Sequence, residues 1–301
     1  MLIYPDLMRP SISTHVFLQH RLHPGHLEAM RQSGAESIEL FAARPHFDYT
    51  DRSAIRDIGA WFRSNPVGVT LHQPLHADNE WSRQSGPTVN LIDVEKSRRI
   101  DAMDEVKRAL EVAEQIPVAS MVIHLGSKNS TWSARELEHS LTAIEHLKAF
   151  AGPLGVKLHL ENLHNDVATP TNLLEILRVG HFDTVGVCLD VGHANLSYEG
   201  VIAAIEILGK RIRQLHLHDN HGSSSGVAKD DHLWPLAVPE PGSIDWPGIA
   251  CRLNALPAEI PATLEIAHEL GETEQTVTAK AAAAFALLNQ SAQPAAAEPL
   301  K

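Results

Sequence analysis

The sequence predicts a single (β/α)8 TIM barrel, on three observations. Short apolar runs alternate with helix-length segments from end to end, the pattern of βα units whose strands pair in parallel. A length of 301 residues suits one barrel of about 250 residues with insertions. Several of the runs close on His, Asp or Glu, on the face opposite their aliphatic residues, and the C-terminal strand ends are where barrel enzymes keep their chemistry.

The candidate strands are Ser11–Thr14, Ser37–Leu40, Val67–His72, Ser120–His124, Val156–Glu161, Val185–Asp190, Ile212–His218 and Ala262–Ile266. Helical signals fall between them. Ser133-Ala134-Arg135-Glu136 reads as a capping box, followed by Leu137, Leu141 and Ile144 at helical spacing. Thr169-Pro170 is an N-cap with proline at the first helical position. Asp101–Gln115 is amphipathic, with Met103, Val106, Leu110 and Ala113 on one face and a solvated charged face opposite. Residues 74–95 and 219–245 are long mouth-side connections. A doubly wound sheet is the alternative, but no Gly-rich phosphate turn follows the first strand. The barrel is expected over residues 1–290, and the low-complexity tail 291–301 is expected to be disordered.

Composition narrows the function. Asp and Glu exceed Lys and Arg, 37 to 25, giving a net charge of -12. Such a surface repels nucleic-acid phosphates and anionic membranes. With two cysteines, Cys188 and Cys251, there is no disulfide framework, so a reducing compartment is expected. No signal peptide or membrane span is read from the chain, and the expected location is the cytoplasm.

Strand parity supplies the candidate site, because successive side chains point to opposite faces. In Val156–Glu161, Leu158 and Leu160 share one face while His159 and Glu161 share the other. The same rule turns Cys188 and Asp190 inward, then His216 and His218, then Glu265; strands three and four end on His72 and His124. Convergent charged groups are costly to bury unless paired or bound to metal. Imidazole with carboxylate suits zinc, manganese, iron or cobalt better than calcium. Asp190-x-x-His193 adds a ligand from the turn after strand six, and Asp230-x-His232 lies in a loop able to fold back over the mouth. His159 and His218 sit off the main ring, and His15, Glu39, His76 and His164 lie near the mouth without an assigned role. Arg83, Lys128 and Lys229 are mouth-side cations within reach of a phosphate.

These residues resemble the xylose isomerase-like barrel (AP endonuclease 2) superfamily, which includes sugar and sugar-phosphate isomerases and epimerases and the endonuclease IV-type enzymes. The resemblance covers about residues 11–288, through LHQPL (71–75), VIHLGS (122–127), LENLHND (160–166), CLDVGHANL (188–196), LHLHDN (215–220), DDHLWPL (230–236), GSIDW (242–246) and TLEIA (263–267). It implies one divalent metal on Glu161, Asp190, His216 and Glu265 in an isomerase or epimerase. In a multinuclear site it implies further ligands at His72, His124, His193, Asp230 and His232. One to three metals per chain are thus expected, zinc first, with manganese or cobalt as alternatives. The full ligand set ranks phosphoester hydrolysis of a small or nucleotide-like molecule first, with Glu161 between metals and Glu265 or Asp190 orienting the nucleophile. The alternative is a sugar or sugar-phosphate isomerase or epimerase in which Glu161 and Glu265 exchange the proton. The acidic surface argues against AP-site DNA. The expected substrate is a small molecule, a sugar or a phosphorylated compound.

Overall fold

Eight parallel strands close into a barrel in chain order: β1 (Arg9–Ser13), β2 (Ser37–Phe41), β3 (Gly68–His72), β4 (Ser120–Ile123), β5 (Lys157–Glu161), β6 (Gly186–Asp190), β7 (Ile212–Leu217) and β8 (Pro261–Leu264). The computed structural model describes residues 8–77, 86–223, 228–237, 241–267, 269 and 271–291. β1 pairs with both β2 and β8, so the sheet has no free edge and the doubly wound alternative is excluded. Strand bounds shift from the expected ones by at most two residues. His124, His218 and Glu265 fall just past β4, β7 and β8, on the mouth of the barrel.

The helices between strands are α1 (Pro24–Gln32), α2 (Arg52–Ser64), α3 (Lys96–Leu110), α4 (Ala134–Ala151), α5 (Pro170–Val179), α6 (Val191–Leu196), α7 (Gly200–Leu208), α8 (Trp246–Leu253) and α9 (Glu274–Ser291). The outward leucines and valines expected from parity, Leu158, Leu160, Val187, Leu189, Leu215 and Leu217, are all buried in the layer shared with these helices. Each such side chain contributes on the order of 1.5–3 kcal/mol.

Local signals behave as the residues dictate. Thr169 caps α5, its hydroxyl accepting from Asn172 N at 3.2 Å, with Pro170 in the first turn. Ser133 caps α4, but its hydroxyl accepts from Arg135 N and donates to the Glu136 carboxylate, a variant of the expected box. The helix expected over 101–115 begins earlier, at Lys96, and ends in a 3-10 turn, Glu111–Glu114. α9 reaches Ser291, and the rest of the expected tail, 292–301, lies outside the described residues. Arg83 lies outside them too. No described helix is long and apolar enough to cross a membrane.

Candidate metal centre

All nine residues expected as ligands meet at the C-terminal mouth, in three contiguous groups. In the first, His124 Nε2 lies 3.0 Å from both His72 Nε2 and Glu161 Oε2. In the second, Glu161, Asp190, His216 and Glu265 offer ligand atoms within 4.8 Å of one another; His216 Nδ1 is 3.4 Å from Glu161 and 3.3 Å from Glu265. In the third, Asp230 Oδ2 is 3.2 Å from both His193 Nε2 and His232 Nε2. Glu161 joins the first two groups, and His193 Nδ1 approaches Glu161 Oε1 at 3.2 Å.

Local structure explains the placement. β6 ends at Asp190, which is the N-cap of α6: its Oδ1 accepts from His193 N at 2.6 Å. One carboxylate thereby starts the helix that carries His193. In register, Asp190 faces His216 on β7. Gly192 permits the approach of His218, since a Cβ there would sit 2.0 Å from the His218 ring. The loop bearing Asp230 and His232 folds back because Asp219 and Leu233 exchange backbone hydrogen bonds at 2.8 Å each. His232 takes a positive φ of 49° and seats its ring with Nδ1 on the Glu265 carbonyl at 2.9 Å.

The site fits a metal on its own chemistry. A ring nitrogen that donates to a carbonyl or carboxylate leaves the other as a lone-pair donor. His72 Nδ1 donates to the Gln73 carbonyl at 2.8 Å, His193 Nδ1 to the Asn162 carbonyl at 3.0 Å, and His216 Nε2 to the Glu39 carboxylate at 3.0 Å. With His232, that makes four imidazoles whose remaining nitrogen faces a carboxylate as acceptor to acceptor. Glu161 Oε1 and His216 Nδ1 are buried without a hydrogen bond. Only a cation, proton or metal, reconciles that arrangement. Imidazole and carboxylate donors in this mix suit divalent zinc, manganese or cobalt.

Without metal, protons take that place. Burial alone would raise the Glu161 carboxyl; the imidazoles of His124 and His216 outweigh it and hold it well below the usual range. Burial likewise opposes the charge on His193, and Asp190 and Asp230 overcome it, raising that imidazole well above its usual value. The Cys188 thiol lies against Glu161 and His216, and burial pushes its pKa up, so it stays protonated.

Residues left without a role by the sequence now have places. Glu39 sits under His216 and also accepts from Gln214 Nε2 at 2.6 Å. His218 is not peripheral: its Nε2 lies 3.1 Å from Asp190 Oδ2, and its ring stacks on His232 at 3.8 Å. His159 is at the other end of the barrel, against Gln214. His15, His76 and His164 line the pocket above the ligands, a cavity of about 330 Å3 walled also by Phe41, Leu75 and Leu196. Among the described residues lining it, Lys128 is the one lysine or arginine; Lys229 pairs instead with Asp231 at 2.7 Å.

A closed βα barrel with a carboxylate–imidazole cluster at its mouth defines the class. The chain belongs to the xylose isomerase-like TIM barrel family, whose model matches residues 27–288. Among curated relatives, the uncharacterized protein y4fM of Sinorhizobium fredii is 26% identical over 209 residues, 66% of this chain and 58% of that protein. The chain thus spans less than two thirds of that relative's length. Fructoselysine 3-epimerase of Escherichia coli O157:H7 is 23% identical over 214 residues, 67% of this chain and 71% of the enzyme. Among solved structures, a D-tagatose 3-epimerase-like protein superposes with a TM-score of 0.72 at 21% identity, over 94% of this chain and 97% of the other. The IolI protein, crystallised with a zinc atom, gives a TM-score of 0.76 at 17% identity, over 95% and 99%. At these identities the structural likeness concerns the fold.

Proposed function

We propose that the protein is a metal-dependent epimerase or isomerase of a small polyhydroxy carbonyl compound, a sugar or sugar phosphate. The observation that carries this reading is the pair Glu161 and Glu265, on the ends of β5 and β8, converging on His216 under a pocket of about 330 Å3. That size suits a small molecule. Fructoselysine 3-epimerase and a solved L-ribulose 3-epimerase are among the chain's relatives and structural neighbours, which supports this reading over the hydrolase that the ligand set alone ranks first.

Glu161, Asp190, His216 and Glu265 would hold a divalent ion, which would polarise the substrate carbonyl and offset the charge developing on its oxygen. One of the two glutamates removes the proton from the carbon beside the carbonyl, and the other returns a proton from its own side. Glu39 and His218 orient the ligands from behind. Phe41, Leu75 and Leu196 exclude water from the pocket wall. Lys128, on the pocket wall, would meet the phosphate of a phosphorylated substrate.

Incubation of the metal-loaded protein with ketoses and ketose phosphates in D2O tests this. Deuterium is expected at the carbon that epimerises, read by NMR, and Glu161→Gln or Glu265→Gln should each lower the exchange at least 100-fold. Absence of exchange across ketoses and their phosphates would sink the reading.

A second reading rests on the two outer groups, His72–His124–Glu161 and His193–Asp230–His232. Adjacent metals there would clamp a phosphoester. Elemental analysis separates the two: two or three equivalents falling towards one in His124→Ala/His232→Ala supports hydrolysis, and one equivalent in both supports the epimerase.

A further inference from the structure

The N-terminal end of the barrel, remote from the metal centre, holds a second and larger cavity of about 970 Å3. This is the end of a barrel that ordinarily serves stability alone. Here hydroxyl side chains near the starts of three strands, Ser37 on β2, Thr70 on β3 and Ser120 on β4, line the floor and are buried. Thr70 is only 3% exposed, and its Oγ1 has no hydrogen-bond partner among the described residues. A buried hydroxyl left unsatisfied is costly and uncommon.

The rim is cationic. Arg9, Lys157, Lys210 and Arg213 line the same cavity, against a single acidic residue, Glu259. None of the four cations forms an ion pair among the described residues; Arg9 and Arg213 reach only backbone carbonyls, of Glu36 in the first case and of Lys210 and Ile212 in the second. Arg9 also lies across the floor rather than out in solvent. A Cβ at Gly68 would stand 2.5 Å from Arg9 Nη2 and 3.2 Å from Ser37 Oγ, so guanidinium and hydroxyl meet over a position that only glycine leaves open. In a chain of net charge -12, four cations without acidic partners around buried, donor-capable hydroxyls are the reverse of the general surface.

We propose that this floor cavity is a binding site for the phosphate group of a small molecule, separate from the substrate pocket. Serine and threonine hydroxyls donate to the phosphate oxygens, and the Arg9 and Arg213 guanidinium groups with Lys157 neutralise its charge. A tetrahedral oxyanion with several acceptor lone pairs matches convergent hydroxyl, guanidinium and ammonium donors. The surplus of cations over the one carboxylate suits a dianion better than a carboxylate ligand.

Calorimetric titration of the metal-loaded protein with inorganic phosphate and with ribose 5-phosphate tests the site, at low and moderate salt. Saturable binding that weakens with salt is expected. Thr70→Val, which keeps the side-chain shape, and Lys157→Gln, at an exposed position, should each weaken it about tenfold, and Arg9→Gln/Lys157→Gln more. Counting only the binding that Thr70→Val and Lys157→Gln remove, tighter binding of the ester assigns the site to an organic phosphate; equal binding assigns it to the phosphate group alone. Isotherms that superimpose for wild type, Thr70→Val and Lys157→Gln overturn the proposal, since any remaining heat then belongs to the mouth. Circular dichroism of each variant guards against loss of fold as the cause of lost binding.

Discussion

Glu39 lies behind the candidate ligands, where it can govern the site through His216. It is fully buried, its Oε2 accepts from His216 Nε2 at 3.0 Å, and its Oε1 has no partner. It fixes the tautomer that leaves His216 Nδ1 free to face Glu161 and Glu265. Removing such a partner typically lowers metal affinity 10- to 100-fold. Glu39→Gln should therefore weaken metal binding by about that factor while the far-ultraviolet spectrum stays that of the wild type; competition against a chromophoric chelator measures it, and unchanged affinity would refute the role. Parity on β2 already turns Glu39 inward, since Ile38 and Leu40 face the helices. What sequence could not supply is that a residue on the second strand faces one on the seventh across the barrel. The gathering of the nine candidate ligands at the mouth was legible because each is set by its own strand or turn. The role of His218 was hidden because it depends on Gly192 and Asp190 arriving together.

At the scale of elements, the strands were the most legible feature and the long loop the least. A parallel strand buried on both faces writes its burial into consecutive residues, as Val187-Cys188-Leu189-Asp190 does. The connection from β7 to α8 has no such period. It is held by Asp219, whose Oδ1 accepts from Asn220 N and Ile244 N and whose Oδ2 accepts from Trp246 Nε1 at 2.8 Å. Asn220 donates in turn to the Gly192 carbonyl at 2.9 Å. The stretches LHLHDN and GSIDW, which carried the family resemblance, are thus the two ends of one clamp. That clamp, with the Asp219–Leu233 backbone pair, sets the path of Asp230 and His232. Motif matching placed both residues in the site, but their φ values and contacts come from partners distant in sequence.

Over the whole molecule, charge is sorted along the barrel axis: carboxylates and imidazoles at the mouth, unpaired cations at the floor. Buried histidines outside the metal centre set a global response to pH. His46 lies in the connection between β2 and α2, buried, with Nδ1 donating to the His20 carbonyl at 2.6 Å and Nε2 without a partner. Burial, with lesser repulsion from His20 and Arg21, brings its pKa down from 6.5 to about 4. Between those values the unfolded chain binds the proton and the folded chain does not, so stability rises with pH across the window. Its contribution is fully present above about pH 6.5 and is lost as pH falls towards 4, by about 3 kcal/mol at most. His46→Asn keeps a donor for the His20 carbonyl and removes the titration. Urea unfolding of both metal-free proteins between pH 7.5 and 4.5 should give a shallower pH dependence for the variant, by up to about one proton, even though its stability at pH 7.5 is lower from the lost ring. Parallel curves would mean that the ring is protonated in the fold, or that a neighbouring histidine takes the proton in its place.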